Sequence, residues 1–214
     1  MRSTTVAVRR CLRLGLLTLG MALSGCSVLD KPTRALVYDF GPGLRTSLPS
    51  AAAVSGSALV LAEVTAPSAL DSTAVLYRLA YANQQQLLPY AQARWSMPPA
   101  QLLQQRLRET LGLRHRVMRE SDAVLAGAAR PVVLHLTLDE FSHLFDAPGK
   151  SVGLVRVHAS AMQPSSSGDK LLAQRDFIAQ RAATSSDAAG GVRALAAASD
   201  GVLAEIAQWL SDLR

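Results

Sequence analysis

Three histidines and one aspartate, His135, His143, His158 and Asp139, are the first residues whose chemistry has to be weighed, because imidazole and carboxylate together hold metal ions. The segment 132–141 alternates apolar and polar residues, so His135 and Asp139 share a strand face. Four residues along a strand is roughly 13 Å at about 3.3 Å per residue, too far for one ion without chain bending. A four-residue loop over 146–151 would bring His158 opposite Asp139, which makes a pair and not a site. The bland reading, a solvated sheet face, is favoured, and no metal or other cofactor is expected. Nucleophilic chemistry has as little support. Serines are plentiful, but no Gly-x-Ser-x-Gly turn presents one. Gly41-Pro42-Gly43 reads as a turn: no Lys-Ser or Lys-Thr follows it to hold a phosphate. An enzyme is not expected.

The thiols are more informative. Arg2, Arg9, Arg10 and Arg13 make a basic start without an acidic residue, and an apolar run of about ten residues, 14–23, follows. That run is too short for a bilayer span, which takes roughly 20 residues. It ends in Leu23-Ser24-Gly25-Cys26. This order resembles the signal and lipobox of bacterial lipoproteins: small residues open the bond to the peptidase, and the thiol of Cys26 carries diacylglycerol. The resemblance implies that residues 1–25 are cleaved and that Cys26 becomes the lipidated first residue. Cys11 follows Arg9-Arg10 rather than an apolar run and does not compete. One acyl chain binds a membrane only marginally, whereas two or three anchor it. Ser27, where inner-membrane lipoproteins usually carry Asp, points to the outer membrane with the domain facing the periplasm.

Charge must be recounted after cleavage. The net +6 rests on 22 basic and 16 acidic residues, and losing the four signal arginines leaves 18 against 16. Nothing in that balance favours nucleic acid. Cys26 is the only cysteine after the signal, so no intramolecular disulfide can form and stability must come from burial. The remaining 189 of the 214 residues suffice for one domain, 35–214, behind a polar tether, 26–34.

The elements that would position these residues are legible as patterns. Strands are expected over 35–40, 58–64 and 74–82, with a loop over 44–56. Three more, over 132–141, 152–162 and 171–180, form an antiparallel meander with one wet face. Ser96 is the expected cap of a helix whose first turn holds Pro98-Pro99 and whose stripe is Leu103, Leu107 and Leu111, with Arg106 largely outside it. A long helix runs over 187–213, with Val192, Leu195, Val202, Leu203, Ile206, Leu210 and Leu213 as its apolar stripe. Gly190 and Gly191 weaken its first turns, which suggests a close packing contact. The expected fold is α+β, an antiparallel sheet covered on one face by two amphipathic helices. The C-terminal stripe is expected in the core and can also serve a homo-oligomer interface.

Several pieces coincide along this frame: Tyr77-Arg78 on a strand, Leu88-Pro89-Tyr90, Arg94-Trp95, Pro98-Pro99, then Leu102-Leu103 and Leu107 on a helix. The chain closes with Gly191-Val192-Arg193-Ala194-Leu195 and Ile206-Ala207-Gln208-Trp209-Leu210. Together they resemble the ABC-type transport auxiliary lipoprotein family over about 36–210, apart from a variable stretch at 163–170. Members accompany MCE-type lipid transport systems of double-membraned bacteria. The resemblance implies a non-enzymatic component that docks an MCE-domain protein at the outer membrane and helps phospholipid cross. A structural lipoprotein, a scaffold or plug of an outer-membrane machine, is the alternative. Arg94 and Trp95 are the candidate partner contact, although a tryptophan is more often core. Arg78, on an otherwise apolar strand, either snorkels to the surface or pairs with a carboxylate.

Overall fold

One long strand organises the sheet. The computed structural model describes residues 34–43, 58–119, 121–122 and 131–213, so the Leu23-Ser24-Gly25-Cys26 box, the tether up to residue 33 and the expected loop over 44–56 lie outside the described residues. The elements are β1 (Leu36–Tyr38), β2 (Ala58–Leu61), β3 (Ala74–Leu79), β4 (Leu88–Trp95), α1 (Pro99–Gly112), β5 (Arg116–Met118), β6 (Val132–Ala147), β7 (Lys150–Gln163), β8 (Lys170–Ala182) and α2 (Ala188–Asp212). Along one edge β6 pairs with β7 for its whole length, and β7 pairs in turn with β8, both antiparallel. The other edge of β6 is shared: β2 takes its start in parallel, Val60 beside Val133, and β3 takes its end in parallel, Arg78 beside Leu144. An isolated bridge between Thr65 and Thr137 spans the interval. The path is β1-β4-β3-β6-β2-β5, with β7 and β8 branching from β6.

The meander is as expected, but the whole sheet is mixed, which corrects the purely antiparallel reading. β1 also runs parallel to β4, and β5 parallel to β2. The cause is visible in β2. Leu59 and Leu61 face the main core, while Val60 packs on the opposite face with Ala62 and Val133. Burial on both faces is the habit of parallel strands inside a sheet. Alternation identifies a face but not a partner's direction.

β4 and β5 have no counterpart among the expected strands. Pro89 lies within β4, at a point where β1, which meets only Ala93, Arg94 and Trp95, does not reach. A missing N–H is tolerated there because β4 has one neighbour only. Ser96 proves to be a continuation of β4: its N–H donates to the Tyr38 carbonyl at 2.7 Å. The residue capping α1 is therefore Pro98, without a side-chain bond, and Pro99 opens the first turn. The β6–β7 hairpin turns on two residues, Pro148 and a positive-φ Gly149, and β6 is irregular between Leu138 and Glu140. His158 consequently faces Thr137 and not Asp139.

The core fills the space between the sheet and the two helices. Leu134, Leu136, Leu138 and Phe141 of β6, Val155 and Val157 of β7, and Phe177 of β8 meet Leu195, Val202, Ile206 and Trp209 of α2 and Leu103, Leu107 and Leu111 of α1. Ala159 and Ala161 are fully buried, and Gly153 lets α2 come closer still: a Cβ there would collide with the backbone of Ala194 and Leu195. α2 begins where expected. The Asp187 carboxylate accepts the Gly190 N–H at 2.7 Å, and the helix dipole favours that charge.

Candidate functional site

Trp95 and Arg94 are neighbours in sequence and point to opposite faces of β4. Trp95 is only 2% exposed and sits edge-on to Phe40 and Phe141 at centroid distances of 5.7 and 5.6 Å. Its buried Nε1 has no hydrogen-bond partner among the described residues. Arg94 is exposed and lies beside Val37 of β1. Leu36 and Val37 are 61% and 66% exposed, so this sheet edge offers apolar surface next to a guanidinium. Of the candidate pair, Arg94 is the residue that can reach a partner, and Trp95 supports the strand beneath it.

Arg106 is a finding that the stripe on α1 concealed. It is 7% exposed, and its Nη2 donates to the carbonyls of Phe40 at 2.6 Å and Gly41 at 3.0 Å. Its Nε lies 3.7 Å from an oxygen of Asp200 on α2. One side chain thus ties the Gly41-Pro42-Gly43 turn to both helices. Burial raises the Asp200 carboxyl above its ordinary range, Arg106 opposes this, and Glu109 adds to it. The signal was available: Arg106 stands four residues after Leu102, within the inward face.

The histidines divide between the two faces of the sheet. His143 is fully buried on the core face, its Nε2 2.8 Å from Ser151 Oγ and its Nδ1 2.8 Å from the Tyr90 hydroxyl. Burial lowers its pKa to about 4, which the charge of Asp187 partly opposes. Burial also pushes the Tyr90 hydroxyl up to about 12, helped by Tyr77 and Asp187. A neutral imidazole donates with one nitrogen and accepts with the other, which suits this chain of three residues. Ser151 is itself buried, so the chain works as a latch between strands.

His158, on the open face, stands between Asp176 and Ser160: Nδ1 to Asp176 is 2.6 Å and Nε2 to Ser160 Oγ is 3.3 Å. This is the order of a hydrolytic triad, yet the setting does not fit one. His158 and Asp176 are 39% and 66% exposed, and Ser160 lies between two antiparallel partners, His135 and Gln174, whose ladders engage the nearby N–H groups an oxyanion would need. Among the described residues no three His, Cys, Asp or Glu side chains converge as a metal site. Arg78 takes the second of its two expected fates: it pairs with Glu140 at 3.2 Å and donates to the Gln84 carbonyl at 2.9 Å.

Residues 41–207 match the family described as the ABC-type transport auxiliary lipoprotein component. The chain belongs to the ABC-type transport auxiliary lipoprotein family. The match includes Arg94, Arg106, His143 and most of α2, so the surfaces described above are parts of the auxiliary domain itself. Two solved structures share the fold of this auxiliary lipoprotein. Protein XCC0632 from Xanthomonas campestris is 20% identical, with a TM-score of 0.68 over 84% of this chain and 96% of that one. A crystal structure of an uncharacterized protein is 16% identical, with a TM-score of 0.63 over 83% and 99%. At these identities they speak for the fold alone. No curated protein matches the sequence.

Proposed function

We propose that this auxiliary lipoprotein is a non-enzymatic, periplasm-facing component of an MCE-type lipid transport system, held in the outer membrane by acyl chains on Cys26 and docking an MCE-domain protein there. The observation that carries the reading is the family match across 41–207, because it makes the domain a transport component. The basic start, the short apolar run and the Leu23-Ser24-Gly25-Cys26 box supply the anchor, and Ser27 supplies the choice of membrane. The physical logic is consistent. Acyl chains cannot cross water unshielded, and a transport assembly that spans two membranes needs a fixed point at each. The exposed β1–β4 edge, with Leu36, Val37 and Arg94, is the surface assigned to the partner.

A crosslinking pull-down of the native, membrane-anchored protein, read by mass spectrometry for proteins and lipids, tests this. Recovery of an MCE-domain protein supports it. Recovery of a different outer-membrane assembly and no MCE-domain protein replaces it with the scaffold reading.

A further inference from the structure

The open face of the sheet changes character along its length. At one end Val60, Val133 and Met162 form a small apolar cluster, and the middle is polar, with His158, Ser160 and Asp176. At the other end lies a cavity of about 540 Å³ between the β3–β4 connection and strands β6 to β8. That is within the roughly 300–1,000 Å³ of small-molecule sites.

Three rungs build this cavity. Arg78 stands beside Leu144, Ser142 beside Leu154, and Glu140 beside Arg156, which in turn faces Ile178. Leu144 and Leu154 are half-buried, and Ile178 is 54% exposed, so an apolar floor crosses three adjacent strands and is left open to solvent. At about 4.8 Å between strands, that floor is some 10 Å wide. The polar groups around it are incompletely used. Glu140 gives one oxygen to Arg78, while its other oxygen, Oε1, is buried and without a hydrogen-bond partner among the described residues, as is the hydroxyl of the fully buried Ser142. Arg156 is exposed and forms no ion pair or hydrogen bond among the described residues.

We infer that this groove is a binding site for a single phospholipid, with acyl chain on the Leu144–Leu154–Ile178 floor, phosphate at Arg156 and a headgroup donor at Glu140 Oε1. Charge complementarity selects this occupant. A free guanidinium, an unpaired carboxylate oxygen and the exposed carboxylate of Asp146, all lining one apolar strip, match a zwitterionic headgroup, a phosphate that carries an ammonium a few bonds away. Buried acceptors left unpaired are unfavourable, so a ligand that supplies a donor gains there. The inference deepens the proposed transport role and rests on it. It assigns this domain direct contact with the transported lipid in addition to docking.

The test uses the full-length lipoprotein in phosphatidylethanolamine and phosphatidylglycerol vesicles that contain a photoactivatable acyl phosphatidylethanolamine, followed by peptide mapping. Label is expected on the peptides of β7 and β8 that hold Leu154 and Ile178. Ile178→Glu puts a charge on an exposed floor position, where folding is not at risk, and is expected to lower that label about tenfold. Label on peptides next to Cys26 should stay constant and report anchoring, and an unchanged melting curve confirms the fold. Arg156→Gln should lower the label without moving its position. Label confined to the tether, or spread evenly over the surface, overturns the inference. So does a photo-crosslinker at position 178 that captures a protein, whether a second copy or a partner, in place of lipid. Pull-downs with Ile178→Glu separate the two readings: loss of label with the MCE-domain protein retained supports the groove, and label without any MCE-domain partner removes the docking role alone.

Discussion

Gly191 lies against the imidazole of His143 so closely that a Cβ on this glycine would collide with Nδ1, the atom that meets the Tyr90 hydroxyl. His143 is the cross-strand partner of Gly153, and Gly153 lies under Ala194 and Leu195. One rung of the sheet therefore carries two close contacts of α2, three residues apart on the helix.

Gly191→Val should destabilise the domain by about 1–3 kcal/mol, the range for forcing extra atoms into a packed interior. Urea unfolding followed by circular dichroism measures it. Pairing the change with His143→Ala should recover part of the loss, since the space is then available, and simple additivity would mean the two residues do not compete for it.

Gly153→Ala is expected to be the more harmful change, because the obstacle is helix backbone and cannot rotate away. Its melting temperature should fall below that of Gly191→Ala, whose neighbour is a side chain.

Acid should weaken the fold through His143. Its folded pKa is lowered, to about 4, from an ordinary 6.5. The unfolded chain thus binds the proton first as pH falls. Stability is full above about 6.5, declines by up to about 1.4 kcal/mol for each pH unit toward 4, and levels off below. Asp187, whose pKa is lowered first by the Ser185 hydroxyl and then by the Gly190 N–H, adds its own loss only at still lower pH. Unfolding midpoints between pH 7.5 and 4 measure the slope, and His143→Leu should flatten it over that window.

Arg106→Met should cost roughly 2–4 kcal/mol, because it strips two carbonyls and a carboxylate of their donor in a buried place. Arg106→Lys should rescue little, since an ammonium cannot fork between Phe40, Gly41 and Asp200. Asp200→Asn should be mild, as this carboxylate is 42% exposed and its ion pair is long. Thermal melts of the three variants rank them.

Cys26→Ala should abolish acylation and with it the cleavage after Gly25, while the domain's melting temperature is unchanged; fatty-acid labelling and the intact mass measure this. Acyl label on the variant, or a mass that lacks residues 1–25, would mean that Cys26 is not the lipidated first residue.

What the sequence disclosed follows from how much of each signal is local. Alternation over 132–141 and 152–162 is a property of consecutive residues, and it located the meander and its core face. Asp187 and the paired glycines marked the start of α2, and the close contact they suggested exists at His143. The parallel partners of β6 depend on residues 60 to 80 positions away, and no local pattern encodes them. β4 was hidden by Pro89, a residue that argues against a strand unless an edge lies beside it. Arg106 was missed because charge is a poor guide when a guanidinium has backbone carbonyls to meet. The split between Arg94 and Trp95 was already implicit in their being adjacent on a strand. The Glu140–Arg156–Ile178 row needed the exact register of the meander, which the irregularity after Leu138 shifts.

The divided edge of β6 has a mechanical consequence. β2 with β5 forms one leaf and β3 with β4 and β1 forms another, and each is hinged to the same spine at a different height. Between them the Thr65–Thr137 bridge fastens the chain that leaves β2 to the spine. The larger leaf is latched to the spine through Tyr90 and His143 and to both helices through Arg106, so the β2–β5 leaf is the one expected to lift while the meander and α2 stay folded. The smaller leaf, gripped on the open face by little more than Val60, Ala62 and Val133, exchanges its amide protons earliest.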